Sequence, residues 1–122
     1  MLFADVIGHE DLKKRLIQSV KDSRVSHAQL FLGPEGSGKM ALALAYAQYI
    51  NCTNRTDTDS CGQCPSCRKF MTLTHPDLHF VFPTATTKKV DKNPESDLFV
   101  TEWREYLEDC KGYADLSDWF AR

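Results

Sequence analysis

The sequence has no run of the roughly 18–20 consecutive apolar residues needed to cross a bilayer, so a membrane-spanning helix is not expected. It also lacks an excess of either charge: 15 Lys and Arg stand against 17 Asp and Glu, a formal net charge of -2. That balance argues against a domain dedicated to coating a polyanion, while leaving room for a local basic face. The stretch MLFADVIGHEDLKK carries acidic residues and lacks the basic-then-apolar order of a secretory leader, which makes the cytoplasm the expected compartment. No internal repeat is found.

What is present fits one globular domain: 122 residues, 42% hydrophobic and 26% charged. In EDLKKRLIQSV the spacing puts Leu12, Leu16, Ile17 and Val20 on one face and Lys13, Lys14 and Arg15 on the other, predicting a helix over about 9–23. Ala28 to Leu32 form a short apolar run closed by a glycine, as a buried strand would. MALALAYAQYIN is rich in helix formers and apolar nearly all round, so its helix should lie inside the protein. A short helix is expected in CRKFMTL. DLHFVFP then alternates Leu78, Phe80 and Phe82 with His79 and Val81, predicting a second strand. TATTKKVDKNPES has no periodicity and reads as a mobile loop. Phe99, Trp103, Tyr106, Leu107 and Cys110 mark an amphipathic helix, and DLSDWFA a short last one. The expected class is α/β. With only two strands legible, the chain should be the front part of a larger domain with an incomplete parallel sheet.

Between the first strand and the apolar helix lies GPEGSGKM. Gly33, Gly36, Ser37, Gly38 and Lys39 satisfy a phosphate-binding loop up to its last position. In such a loop backbone N–H groups surround phosphate oxygens at a helix N-terminus, and the lysine reaches the β- and γ-phosphates. The alternative is a glycine-rich turn that serves only a tight strand-to-helix connection. Met40 stands where a hydroxyl would hold Mg²⁺, and a thioether is a poor ligand for a hard cation. No apolar strand ending in paired acids follows residue 80 to hold metal or activate water. Nucleotide binding with Mg²⁺ is therefore doubtful, and efficient ATP turnover is not expected.

Four of the five cysteines, Cys52, Cys61, Cys64 and Cys67, fall within sixteen residues, with Gly62 and Pro65 between them as turn formers. Two sulfurs of a C-x-x-C turn can face one ion, and four thiolates saturate tetrahedral Zn²⁺, so the site should be structural rather than catalytic. A redox pair, unligated buried thiols and an iron–sulfur cluster are the alternatives. Cys110, the four histidines and the two tryptophans read as packing residues.

FADVIGHEDLKKRL, SHAQLFLGPEGSGK, the helix ending in INC, the C-x8-C-x2-C-x2-C loop and THPDLHFV follow one another as they do in the bacterial DNA polymerase III clamp-loader subunits, which residues 1–83 resemble. Met40 and the HPD at His75 to Asp77 make the delta-prime subunits the nearer match, since the gamma/tau subunits carry Thr after the loop lysine. The resemblance implies the front part of an AAA+ P-loop domain over residues 1–83, with the zinc loop 52–67 inserted in it. It implies zinc on the four cysteines, and Val6 and Ile7 in the segment that lies against adenine in ATP-binding relatives. It further implies a non-hydrolysing subunit of the polymerase holoenzyme, a nucleotidyltransferase assembly. Its partners would be gamma/tau, delta, the sliding clamp and primer-template DNA. The arginine-finger motif and the second half of the AAA+ domain would lie further along. Residues 84–122 match no pattern of that family and read as an insertion. An ATP-hydrolysing gamma/tau-type subunit and a zinc-containing nucleic-acid-binding module are the competing readings. An incomplete sheet would also leave open edges, from which self-association is expected.

Overall fold

The computed structural model describes residues 1–84, 99–115 and 119–120. A single 3-10 turn, Phe3–Asp5, precedes helices α1 (Glu10–Lys21), α2 (Lys39–Asn51), α3 (Pro65–Met71) and α4 (Val100–Cys110).

Helix α2 is the centre of the molecule. Ala41, Leu42, Leu44, Ala45, Tyr46, Gln48 and Tyr49 are all buried, as an almost uniformly apolar helix requires. On one side it packs with Phe3, Val6 and the Leu16, Ile17 and Val20 stripe of α1. On the other, Leu44 joins Leu73, Phe82 and the Trp103, Tyr106 and Leu107 face of α4. Burying each large apolar side chain contributes about 1.5–3 kcal/mol. Propensity differences among ordinary residues reach only about 0.7 kcal/mol, so packing rather than propensity holds this helix.

The expected α/β class is not what forms: among the described residues there is no strand and no sheet. Residues 28–32 and 78–82 carry the strand-like sequence, but neither finds a backbone partner to make a ladder. Alternation of apolar side chains favours an extended chain, and a strand also needs a neighbour's N–H and C=O groups. In the first segment the side chains meant for a sheet interior face solvent, Leu30 at 84% and Leu32 at 88% exposure. In the second, Val81 is 93% exposed. Its other face is absorbed by helix packing: the Phe82 ring stacks on Trp103 with centroids 4.4 Å apart, and Trp119 meets both edge-on.

The helix boundaries follow from local signals. Helix α3 begins with Pro65 at its first position, where a missing N–H is tolerated. Helix α4 ends in Lys111 and Gly112, both with positive φ, and the Gly112 amide donates back to the Leu107 carbonyl at 3.1 Å. One assignment on α1 is reversed. Lys13, placed by periodicity on the wet face, is buried and donates to the Val6 carbonyl at 2.6 Å, while Leu12 is 40% exposed. The loop expected over 84–96 lies outside the described residues from 85 onward, and most of the last short helix does too.

Candidate metal centre and glycine loop

The turn that leaves α2 and the turn that opens α3 bring four sulfurs to one point. Cys52 caps the end of α2, Cys64 caps the start of α3, and Cys67 lies within its first turn. All four Sγ atoms lie within 4.8 Å of one another. Cys52 is 3.6 Å from Cys61 and 3.9 Å from Cys64, and Cys61 is 3.9 Å from Cys67. A tetrahedron with metal–sulfur bonds of about 2.3 Å has edges of about 3.8 Å. The donor set thus fits a tetrahedral metal ion, and four soft sulfurs leave no open position for a substrate.

Backbone amides point at the sulfurs. Cys61 N–H donates to Cys52, Gln63 and Cys64 N–H to Cys61, and Cys67 N–H to Cys64, at 3.2–3.4 Å. These donors favour thiolate. The Cys67 amide draws the Cys64 thiol down to about 5, and the Gln63 and Cys64 amides lower Cys61. Burial pushes Cys67 up to about 12. A positive ion at the centre would supply the charge that a buried Cys67 thiolate lacks.

The cluster is moored to the start of the chain by a residue that periodicity does not pick out. The Asp59 carboxylate accepts from the amides of Phe3, Ala4 and Ser60 at 2.8–3.0 Å. The Tyr49 hydroxyl donates to the Thr56 carbonyl at 2.8 Å. The signal for the mooring is tertiary: Phe3 and Ala4 lie more than fifty residues from Asp59, so no local pattern could have named that contact.

The glycine loop occupies residues 33–38 and delivers Lys39 as the first residue of α2. Gly36 and Gly38 have φ of +78° and +83°, a region that side chains disfavour. A Cβ at Gly33 would stand 2.7 Å from Ser37 Oγ. That hydroxyl is itself buried without a hydrogen-bond partner. The Lys39 ammonium folds back to the Pro34 carbonyl at 3.3 Å. His9, read from sequence as a packing residue, instead touches the loop: Nε2 lies 2.6 Å from the Ser37 carbonyl oxygen. Along the α1 side of the loop runs a cleft of about 460 Å³ lined by His9, Leu12, Gly33, Ser37 and Lys39 among others.

Met40 faces away from this cleft. It packs on the aromatic cluster of α4 and borders an apolar pocket of about 430 Å³ with Phe31, Ala43, Trp103 and Trp119. Val6 and Ile7, the other residues singled out, part company. Val6 is in the core, whereas Ile7 is 79% exposed and its amide donates to the Tyr113 hydroxyl at 2.9 Å.

The profile of the family described as DNA polymerase III, delta subunit, matches residues 8–100, well over half of the chain. The chain belongs to this family. It is 35% identical over 89 residues to DNA polymerase III subunit tau/gamma of Haemophilus influenzae, an overlap of 73% of this chain and 13% of that protein. With subunit tau of Bacillus subtilis it shares 36% over 66 residues, 54% of this chain and 12% of the relative. With subunit tau of Escherichia coli it shares 34% over 89 residues, again 73% of this chain and 14% of the relative. The matched part of the chain therefore spans only about one-eighth of the length of these relatives. No solved structure matches it significantly. Among the described residues no helix is long and apolar enough to cross a membrane.

Proposed function

We propose that this family member serves as a non-hydrolysing, delta-prime-like subunit of the bacterial clamp loader. In that role it works in the cytoplasm, supports neighbouring gamma/tau and delta subunits, and helps place the sliding clamp on primed DNA. The observation that carries the reading is Met40. It directly follows the loop lysine and turns into the aromatic cluster, so that position offers no oxygen to Mg²⁺. Without that metal the charge developing between β- and γ-phosphates goes unneutralised. The glycines and Lys39 are then kept for the geometry of the loop at a subunit surface. On the same reading Zn²⁺ is the ion held by Cys52, Cys61, Cys64 and Cys67. It pins the α2–α3 junction and takes no part in chemistry.

A second reading, an ATP-hydrolysing gamma/tau-type subunit, draws support from the names of the relatives, which are tau or tau/gamma. A zinc-containing nucleic-acid-binding module has less behind it, because a net charge of -2 does not favour phosphate contacts. Isothermal titration with ATP, run with Mg²⁺ and again with EDTA, separates the first two. The non-hydrolysing reading expects no saturable heat at sub-millimolar ATP in either condition. A strong signal that depends on Mg²⁺ would favour the gamma/tau reading.

A further inference from the structure

Directly after α4 the chain turns back onto the glycine loop, and this contact has no counterpart in the functional reading above. Gly112 sits flush on the first turn of α2. A Cβ there would stand 2.9 Å from Ala41 Cα, so only glycine permits the approach. The turn carries the next residue, Tyr113, to a gap between two remote segments. Its ring lies against Gly38, with Cε1 2.9 Å from where a Cβ would stand. Its hydroxyl oxygen accepts the Ile7 amide at 2.9 Å, across 106 residues of sequence. Tyr113 is half-buried and packs on the same core as α1 and α2.

An aromatic ring with an acceptor, held between a backbone N–H and the last glycine of a loop built to take phosphates, has the chemistry of a nucleobase. The ring covers a surface left flat by the missing Gly38 side chain. The hydroxyl satisfies an amide on a segment that is otherwise exposed. We propose that Tyr113 is an intramolecular latch. It takes the place of a purine base beside the glycine loop and so keeps purine nucleotides off it. Displacing the 111–113 turn opens the gap. This rests on the non-hydrolysing reading and adds to it a reason, separate from Met40, why the loop stays empty of nucleotide. A latch that is closed about nine-tenths of the time weakens apparent affinity about tenfold.

The test compares the 122-residue chain with its Tyr113→Ala and Tyr113→Phe variants in EDTA, using two probes, ATP and inorganic tripolyphosphate. Tripolyphosphate senses the loop alone, and ATP senses loop and gap together. Tyr113→Ala is expected to bind ATP about tenfold more tightly than the parent, with tripolyphosphate affinity changed by less than about twofold. Equal ATP affinity in the two proteins would overturn the latch, as would parallel gains for both probes. Should Tyr113→Ala fail to fold, Tyr113→Phe decides by hydrogen exchange at the Ile7 amide, which should quicken once its acceptor is gone. Unchanged exchange there overturns the proposal. Magnesium-dependent phosphate release by the parent chain would count against the non-hydrolysing reading instead, so the two failures are told apart.

Discussion

Lys13 shows how one side chain can invert a pattern. Its side chain is buried, and its ammonium meets the Val6 carbonyl and, at 3.3 Å, Glu10. Long charged side chains bury their methylenes and keep a polar tip satisfied, which periodicity alone treats as a wet-face lysine. Lys13→Met keeps the stem but strips the donor from a buried carbonyl, and should destabilise the chain by about 1–3 kcal/mol. Lys14→Met, on the exposed face, should stay within about 0.5 kcal/mol. Paired urea denaturation curves check both. Equal midpoints for the two variants would mean that the Lys13 contact contributes nothing. The glycine turn before α2, where Gly36 and Gly38 do take positive φ, was legible from spacing. His9 and Tyr113 were not, because each reaches the loop only through the folding of distant segments.

At the scale of elements, the cysteine loop is the part whose sequence reads through to geometry. Close spacing with turn residues between left the four sulfurs little choice but to converge, and they do so within 4.8 Å. The purified chain should carry one metal ion, measured by elemental analysis, and Cys61→Ser or Cys64→Ser should lose it. Chelation should lower thermal stability, because ligands preformed only in the native state make metal binding part of the folding free energy. Full stability in excess chelator would show that the loop stands without an ion. The strand-like elements failed for the converse reason. Ala28 to Leu32 has the composition of a strand, but a strand is defined by its neighbour, and sequence composition carries no record of whether that neighbour is present. Helices supply their own hydrogen bonds, so α1, α2, α3 and α4 emerge near their expected positions.

The whole molecule bears the consequence. Leu30, Leu32 and Val81 are between 84% and 93% exposed, apolar surface that a second copy could cover. Self-association at tens of micromolar is therefore expected in sedimentation, and Leu30→Lys with Leu32→Glu should abolish it. A parent chain that stays monomeric at high concentration would remove the idea. The central claim, that of the proposed function, concerns chemistry rather than assembly: Met40, directly after the loop lysine, offers no oxygen to a metal ion. Its most direct test is phosphate release from Mg-ATP by pure protein, parent against Lys39→Ala. The account expects both to stay at the buffer's background rate. Magnesium-dependent release by the parent, abolished in Lys39→Ala, would contradict it.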